Sequence, residues 1–274
     1  MTEIQDVTGT AFIVDEYRAR ENAEANPLYV DRIVPLFLDE GTRQAADGFS
    51  ADFPAVEKMV RMRTRYFDDR LDEQLSLGCR QVVILGAGLD TRAVRKQSPG
   101  VAYFEIDDLK ILSFKKARLA ESGIDARVTF IPGDYVADDC LRLLETNGFR
   151  FELPAYFIWE GNTMYLTAAS VRKVLADIRK RVRQFTISLD YMAEEVIAHT
   201  TGDQRTSNFV ARFAAMGAPW RFGVNDIKAL AQEAAMTIVD NVRTAELYRA
   251  YWPSQPLDAI IYDYYSLCTL KSGG

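Results

Sequence analysis

The sequence contains one histidine, His199, and three cysteines, Cys79, Cys140 and Cys268. A single imidazole leaves almost no raw material for a metal site or a serine-histidine-acid triad, unless His199 alone serves as a base. Three widely spaced cysteines describe neither a disulfide framework nor a metal knuckle, so reduced thiols are expected. No apolar run approaches the length needed to span a bilayer. The opening residues, MTEIQDVTGT, are too polar for a secretory signal, so a cytoplasmic protein with no membrane partner is expected. Positive charge is also in short supply. With 33 Lys and Arg against 39 Asp and Glu, the formal charge is -6, which argues against a nucleic-acid partner because phosphate backbones need a basic face. Repeats, linkers and low-complexity tracts are missing too. The 274 residues suffice for a sizeable core, and one domain with additions is expected.

What is present is organised around QVVILGAGLDTR, Gln81 to Arg92. Apolar residues run straight into Gly86, Ala87 and Gly88, which reads as a buried parallel strand ending in a tight turn. In an open α/β sheet ligands bind beyond such strand ends, and glycines let the backbone approach them closely. A third glycine, usual in dinucleotide folds, is replaced by Thr91, which disfavours a pyrophosphate cradle and hence a nicotinamide oxidoreductase. Asp90 places a carboxylate where phosphate would be repelled and a cationic or hydroxyl-bearing ligand accepted. That suits S-adenosylmethionine, which carries an ammonium and a sulfonium but no phosphate.

The rest of the chain divides into an N-terminal helical cap (1–77), a cofactor-binding core (78–190), a substrate-lid insertion (191–224) and C-terminal strands (225–274). In the cap, a helix from about Thr10 ends at Asn26 and Pro27, QAADGFSADFP reads as a loop, and Pro54 opens a helix with Val56, Met59, Val60, Phe67, Leu71 and Leu75 at helical spacing. Arg63 falls on that apolar stripe, while Arg61 and Asp68 lie mostly on the outer face. An inward arginine needs a partner: either a structural salt bridge, for instance to Asp90, or a ligand carboxylate. A second strand, Val101 to Ile106, leads to Glu105, Ile106 and Asp107, where an acidic side chain can hold a ribose hydroxyl pair. A third strand, Arg127 to Ile131, delivers Asp134 to the same edge, to accept from an adenine amino group or to cap a helix. After a loop, the apolar AYFIWEG forms a central strand ending in Glu160, and Ser170 caps the next helix. QFTISLDY is a fifth strand. From Met192 to Val224 come Phe209, Phe213, Met216, Trp220 and Phe222, a lid or ordinary packing. Asn225 caps a helix, and strands follow at Met236 to Val242 and Ile260 to Leu270.

With these pieces in order, the sequence resembles the leucine carboxyl methyltransferase family, and within it the bacterial branch that includes tetracenomycin-type polyketide carboxyl O-methyltransferases. The matching stretches are RTRYFDD (Arg63 to Asp69), QVVILGAGLDTRAVR (Gln81 to Arg95), YFEID (Tyr103 to Asp107), Gly133-Asp134 followed by Tyr135, and WEGNTMYL (Trp159 to Leu166). Two departures stand out: Arg32 after Asp31 where the family usually has proline, and Tyr135 where it often has leucine. The resemblance implies a Rossmann-like class I methyltransferase sheet of seven strands with the last antiparallel, plus the helical cap and insertion. It also implies S-adenosylmethionine as cofactor. Arg63 would hold the methionine carboxylate, and the turn Gly86, Ala87, Gly88 with Asp90 would pass beneath the cofactor. Asp107, with Glu105, would take the ribose, Asp134 and Tyr135 would flank the adenine, and Glu160 would approach the amino group.

The expected acceptor is the carboxylate of a small, polyketide-like acid. With a pKa near 4 it is already ionised at neutral pH and needs no general base, so a lone histidine is no handicap. Tyr17, Tyr165, Tyr191 and Met192 are candidate substrate contacts. A phenol or alcohol acceptor is the rival, and it would ask for a base such as His199 or Asp90. A cofactor-binding protein without catalysis is the other alternative. Oligomeric state is left open.

Overall fold

All five residues of Gln81–Leu85 (β1) are buried, because helices cover both faces of the sheet they enter. Val82 and Ile84 pack into one apolar cluster and Val83 and Leu85 into another, as a two-residue side-chain period requires. The protein is described here from a computed structural model covering residues 7–273, with side chains from residue 10. The other strands are Ala102–Asp107 (β2), Thr129–Pro132 (β3), Ala155–Trp159 (β4), Phe185–Met192 (β5), Met236–Arg243 (β6) and Tyr265–Ser272 (β7). They form one α/β sheet in the order β3-β2-β1-β4-β5-β7-β6, with β7 antiparallel to both neighbours. Since β1 bonds to both β2 and β4, the chain reverses direction across the sheet there, and a crevice opens at the carboxyl ends of those strands. No helix among the described residues is long and apolar enough to cross a membrane. All three cysteines are free and buried.

The cap consists of Val7–Arg20 (α1), Glu40–Asp52 (α2) and Ala55–Ser76 (α3). On α3 the predicted stripe is buried, Arg63 included. Arg61 and Asp68, expected on the outer face, are buried as well. Arg61 pairs with Glu21 and, at 3.0 Å, with Glu24, and Asp68 accepts from Arg92 at 2.7 Å and Arg95 at 2.6 Å. A helix enclosed on several sides has little outer face, which a single hydrophobic stripe does not reveal.

The stretch expected to be a loop, 44–54, instead lies mostly in α2. Asp39 caps it by accepting from the Thr42 backbone N–H at 2.8 Å, and Ala46 and Phe49 bury one side despite Gly48. Two other caps are displaced: Thr167, rather than Ser170, caps the helix Ala168–Arg181, and Asp226, rather than Asn225, caps Ile227–Glu233. The connection before β4 contains the helix Cys140–Thr146, capped by Asp139. The last strand begins at Tyr265, after a short 3-10 turn at Ile260–Asp263.

The insertion contributes the helix Gln204–Ala215, which packs back onto the cap. Phe209 stacks on Phe53 with ring centres 4.2 Å apart, Phe213 lies 5.8 Å from Phe49, and the Arg212 guanidinium sits over the Phe49 ring. Cap and insertion thereby meet above the crevice and roof it.

Candidate functional site

Beneath that roof lies a cavity of about 650 Å³, floored by the residues that follow β1, β2 and β4. Gly86 and Gly88 adopt φ of +63° and +49°, and the Gly86 and Ala87 N–H groups donate to Ile106 O at 2.9 and 3.1 Å, folding the turn back over β2. Any side chain at Gly86 would collide with Asn162, whose amide donates to Gly86 O at 3.1 Å and to Glu160 O at 2.7 Å. The turn is thus held open by glycine and tied to the end of β4.

Around the floor runs a buried ionic network. Glu160 accepts from Arg18 at 2.6 Å and from Arg63 at 2.8 Å through one oxygen, and from Arg92 through the other. Burial alone would raise its pKa, but the guanidiniums of Arg18, Arg92 and Arg63 outweigh it and hold the carboxyl well below the usual range. Arg92 also binds Asp90 and Asp68. Arg63 reaches β5 and β7: its Nη1 donates to Tyr265 Oη at 3.2 Å and to Asp190 at 3.5 Å, and Tyr265 donates to Asp190. Burial works against the Arg63 charge, yet its partners Tyr265, Glu160 and Asp190 raise its pKa further above the ordinary value. Among the described residues its Nη2 has no hydrogen-bond partner, and Arg63 lines the cavity. A Cβ at Gly161, whose φ is +71°, would press on this guanidinium at 3.2 Å.

Of the residues singled out from sequence, Arg63, Gly86, Ala87, Gly88, Asp90, Asp107, Asp134, Tyr135, Glu160, Tyr17, Tyr165 and Met192 line this one cavity. Their engagements differ. Asp90 is occupied by Arg92, so it is neither the partner of Arg63 nor a free base. Asp107 accepts from the Gly88 and Asp108 N–H groups at 2.6 Å each, and burial raises its pKa. Asp134 caps the turn after β3 by accepting from the Val136 and Ala137 N–H groups through Oδ1. The Tyr135 hydroxyl accepts from Trp159 at 3.0 Å, turning the phenol inward. Tyr17 donates to Ala46 O at 2.8 Å.

Two candidates are not in the cavity. Glu105 is fully buried two residues short of the strand end, bound at 2.6 Å by the equally buried Lys115, and so does not reach the cavity that Asp107 lines. Tyr191 faces away, its hydroxyl donating to Asn241 on β6 at 2.9 Å. Adjacent strand residues point to opposite faces, so with Met192 on the cavity side Tyr191 has to lie on the other. His199 is exposed and outside the cavity lining. In the insertion, Phe209, Phe213 and Trp220 line the cavity, whereas Phe222 belongs to the cluster on the opposite face of the sheet.

Sequence reasoning missed Asp15, Arg18, Asn162 and Tyr265 as cavity residues. Arg18 had a usable signal, being an arginine four residues after Val14 and on the same helical side as Ile13 and Tyr17. Asp15 and Tyr265 have none, because their role depends on contacts between distant parts of the chain.

Residues 11–179 match the family model for leucine carboxyl methyltransferase. A Mycobacterium tuberculosis protein provisionally named S-adenosyl-L-methionine-dependent methyltransferase is 34% identical over 186 residues, covering 63% of this chain and 57% of its own length. The chain therefore spans little more than half of that relative. Among solved structures, a provisionally named methyltransferase from Thermobifida fusca aligns with a TM-score of 0.63 at 17% identity, over 89% of this chain and 94% of its own. Magnesium protoporphyrin IX methyltransferase from Synechocystis, with bound S-adenosylhomocysteine, aligns at 0.51 and 8%, over 94% of each chain. These two likenesses concern the fold: a class I methyltransferase sheet. With more than half of its length matched, the chain belongs to the leucine carboxyl methyltransferase family.

Proposed function

We propose that this protein is an S-adenosylmethionine-dependent O-methyltransferase acting on the carboxylate of a small apolar acid, of the kind found on polyketide-like metabolites in the tetracenomycin-type branch of the family. One feature of the cavity supports this above all: a polar end over the glycine turn and an aromatic end under the roof share a single chamber. A nucleoside cofactor and an apolar acceptor can then meet without solvent between them. The cradle fits the cofactor on its own evidence, since the turn is kept open at Gly86, Arg63 has an Nη2 with no partner among the described residues, and the surrounding network has more carboxylates than arginines. Such a surplus favours a cationic ligand over a phosphate. In this reading Arg63 holds the methionine carboxylate, Asp107 the ribose, and Asp134 and Tyr135 border the adenine.

When bound, the cofactor supplies a methyl group on positively charged sulfur. The chain's own contribution is alignment and dryness. Tyr165, Phe213 and Trp220 pack against one another, with Phe213 and Trp220 ring centres 5.1 Å apart, and Met192 lines the same cavity. These side chains exclude water that would stabilise an acceptor carboxylate more than the charge-dispersed transition state. A base is not required of the protein, because the acceptor is ionised before it binds.

The test is incubation with methyl-labelled S-adenosylmethionine and a panel of small aromatic acids and phenols. Base-labile methyl esters are expected from the acids, and His199→Ala should retain activity within about twofold. Labelled ethers from phenols, with a loss of orders of magnitude in His199→Ala, would favour the hydroxyl acceptor. Binding without turnover on any acceptor would favour a non-catalytic role. Tight NADH binding in place of S-adenosylhomocysteine would overturn the cofactor assignment.

A further inference from the structure

Asn162 stands at the N-cap position of the short 3-10 turn Thr163–Tyr165, where an asparagine ordinarily turns its side-chain oxygen onto its own turn. It makes no such cap. The amide lies instead against the glycine bend, where a Cβ on Gly86 would collide with it. Its Nδ2 donates to Glu160 O at 2.7 Å and to Gly86 O at 3.1 Å, with Leu85 O at 3.4 Å. Those three carbonyls use both hydrogens of the amide, and a flipped amide would set oxygen against oxygen. The orientation is therefore fixed by the network, and Oδ1 is the atom left over. It has no hydrogen-bond partner among the described residues and is not one of the orphan atoms sealed from solvent, in a half-buried side chain that lines the cavity. Glu160 lines the same cavity, but Arg18 and Arg63 engage one of its oxygens and Arg92 the other. A cationic group drawn to that carboxylate has use for a further lone pair, and the amide oxygen offers one without adding charge.

We propose that Asn162 Oδ1 accepts a hydrogen bond from the α-ammonium group of the cofactor, beside the Glu160 carboxylate that attracts it. This rests on the adenosylmethionine reading and adds a residue to it. The carboxylate supplies the charge and the amide supplies the direction. Since the same side chain ties the bend after β1 to the end of β4, a bound ammonium is placed relative to both strand ends through one residue.

The experiment is isothermal titration of the whole chain with three probes. They are S-adenosylhomocysteine, 5′-S-(3-carboxypropyl)-5′-thioadenosine, which keeps the carboxylate but lacks the amino group, and 5′-methylthioadenosine, which lacks the amino-acid end. The wild type should bind S-adenosylhomocysteine at least about tenfold more tightly than the deaminated analogue, as a hydrogen bond from a charged donor requires. Asn162→Ala should weaken S-adenosylhomocysteine about tenfold or more while the other two probes stay within about twofold, so that the preference for the amino group collapses. A side chain that only ties the bend would lower the affinity of all three probes alike. Equal losses for all three, no loss for any, or a wild type indifferent to the amino group would overturn the role of Asn162 while leaving the cofactor reading intact. A wild type that binds none of the probes would overturn both. If Asn162→Ala does not fold, Asn162→Ser carries the same comparison, and the wild-type preference is measured without any variant.

Discussion

Arg63 joins three strands' worth of structure to the edge of the cavity. Its Nε and Nη1 are committed to Glu160, Asp190 and Tyr265, and among the described residues its Nη2 has no hydrogen-bond partner. Arg63→Ala should therefore destabilise the fold by about 3–5 kcal/mol, since it strands buried carboxylates, and thermal melting of the two proteins would measure this. Arg63→Lys keeps a charge but not the planar fork. It is expected to bind S-adenosylhomocysteine at least about tenfold more weakly, with 5′-methylthioadenosine affected less, and equal losses for both would mean the residue is structural alone. That Arg63 mattered was legible because a charge on an apolar helical stripe is anomalous in itself. The difference between Glu105 and Asp107 was not. Both are acidic and two residues apart on one strand, and what separates them is Lys115, ten positions away, which neutralises the first. The role of Asn162 was illegible for a similar reason: an acceptor left without a donor is a property of the folded neighbourhood.

Strands buried on both faces announce themselves as unbroken apolar runs, which is why β1 and β4 could be read directly. The helix α2 could not. Its AADGFSAD segment holds small and turn-forming residues, and it is held by packing on α1, where Tyr17 donates to Ala46 O, and on α3, with the insertion adding its rings to Phe49 and Phe53. Helices of this kind are fixed by tertiary contact more than by intrinsic propensity. The seam between α2 and the helix Gln204–Ala215 is accordingly the part of the roof most open to perturbation. Phe209→Ala removes the ring stacked on Phe53 and leaves a cavity whose cost is of order 3–5 kcal/mol, most of it local to the seam. Limited proteolysis should cut the 192–224 region faster, and KM for the acceptor should rise at least about tenfold with little change in S-adenosylhomocysteine affinity. An unchanged cleavage rate would show that the seam does not hold the roof.

Over the whole molecule, buried acids give stability a two-sided dependence on pH. Burial, opposed by Lys115, pushes Glu105 up to about 7, and burial, opposed by Arg18, brings Asp15 to a similar value. Both bind protons more tightly folded than unfolded, so without ligand stability should decline as pH rises from about 5 to 7 and then level off. Asp68 and Glu160 have the opposite sign. Burial opposes their ionisation, but Arg92 and Arg95 hold Asp68 low, and Arg18, Arg92 and Arg63 hold Glu160 low, so stability is also lost on strong acidification. Melting temperatures of the ligand-free chain between pH 3 and 8 should peak near pH 5. Glu105→Gln should flatten the upper side, and a maximum at or above pH 7 would contradict this balance.

The order of the strands along the chain carries a temporal consequence. Tyr265, on the seventh strand to emerge, bonds to both Asp190 and Arg63 and so helps hold the guanidinium in place. A nascent polypeptide still short of that tyrosine would already possess its glycine bend, its roof helices and six of its seven strands, yet lack one of the props of Arg63. The last prop of that guanidinium is thus set only when nearly the whole chain has been made.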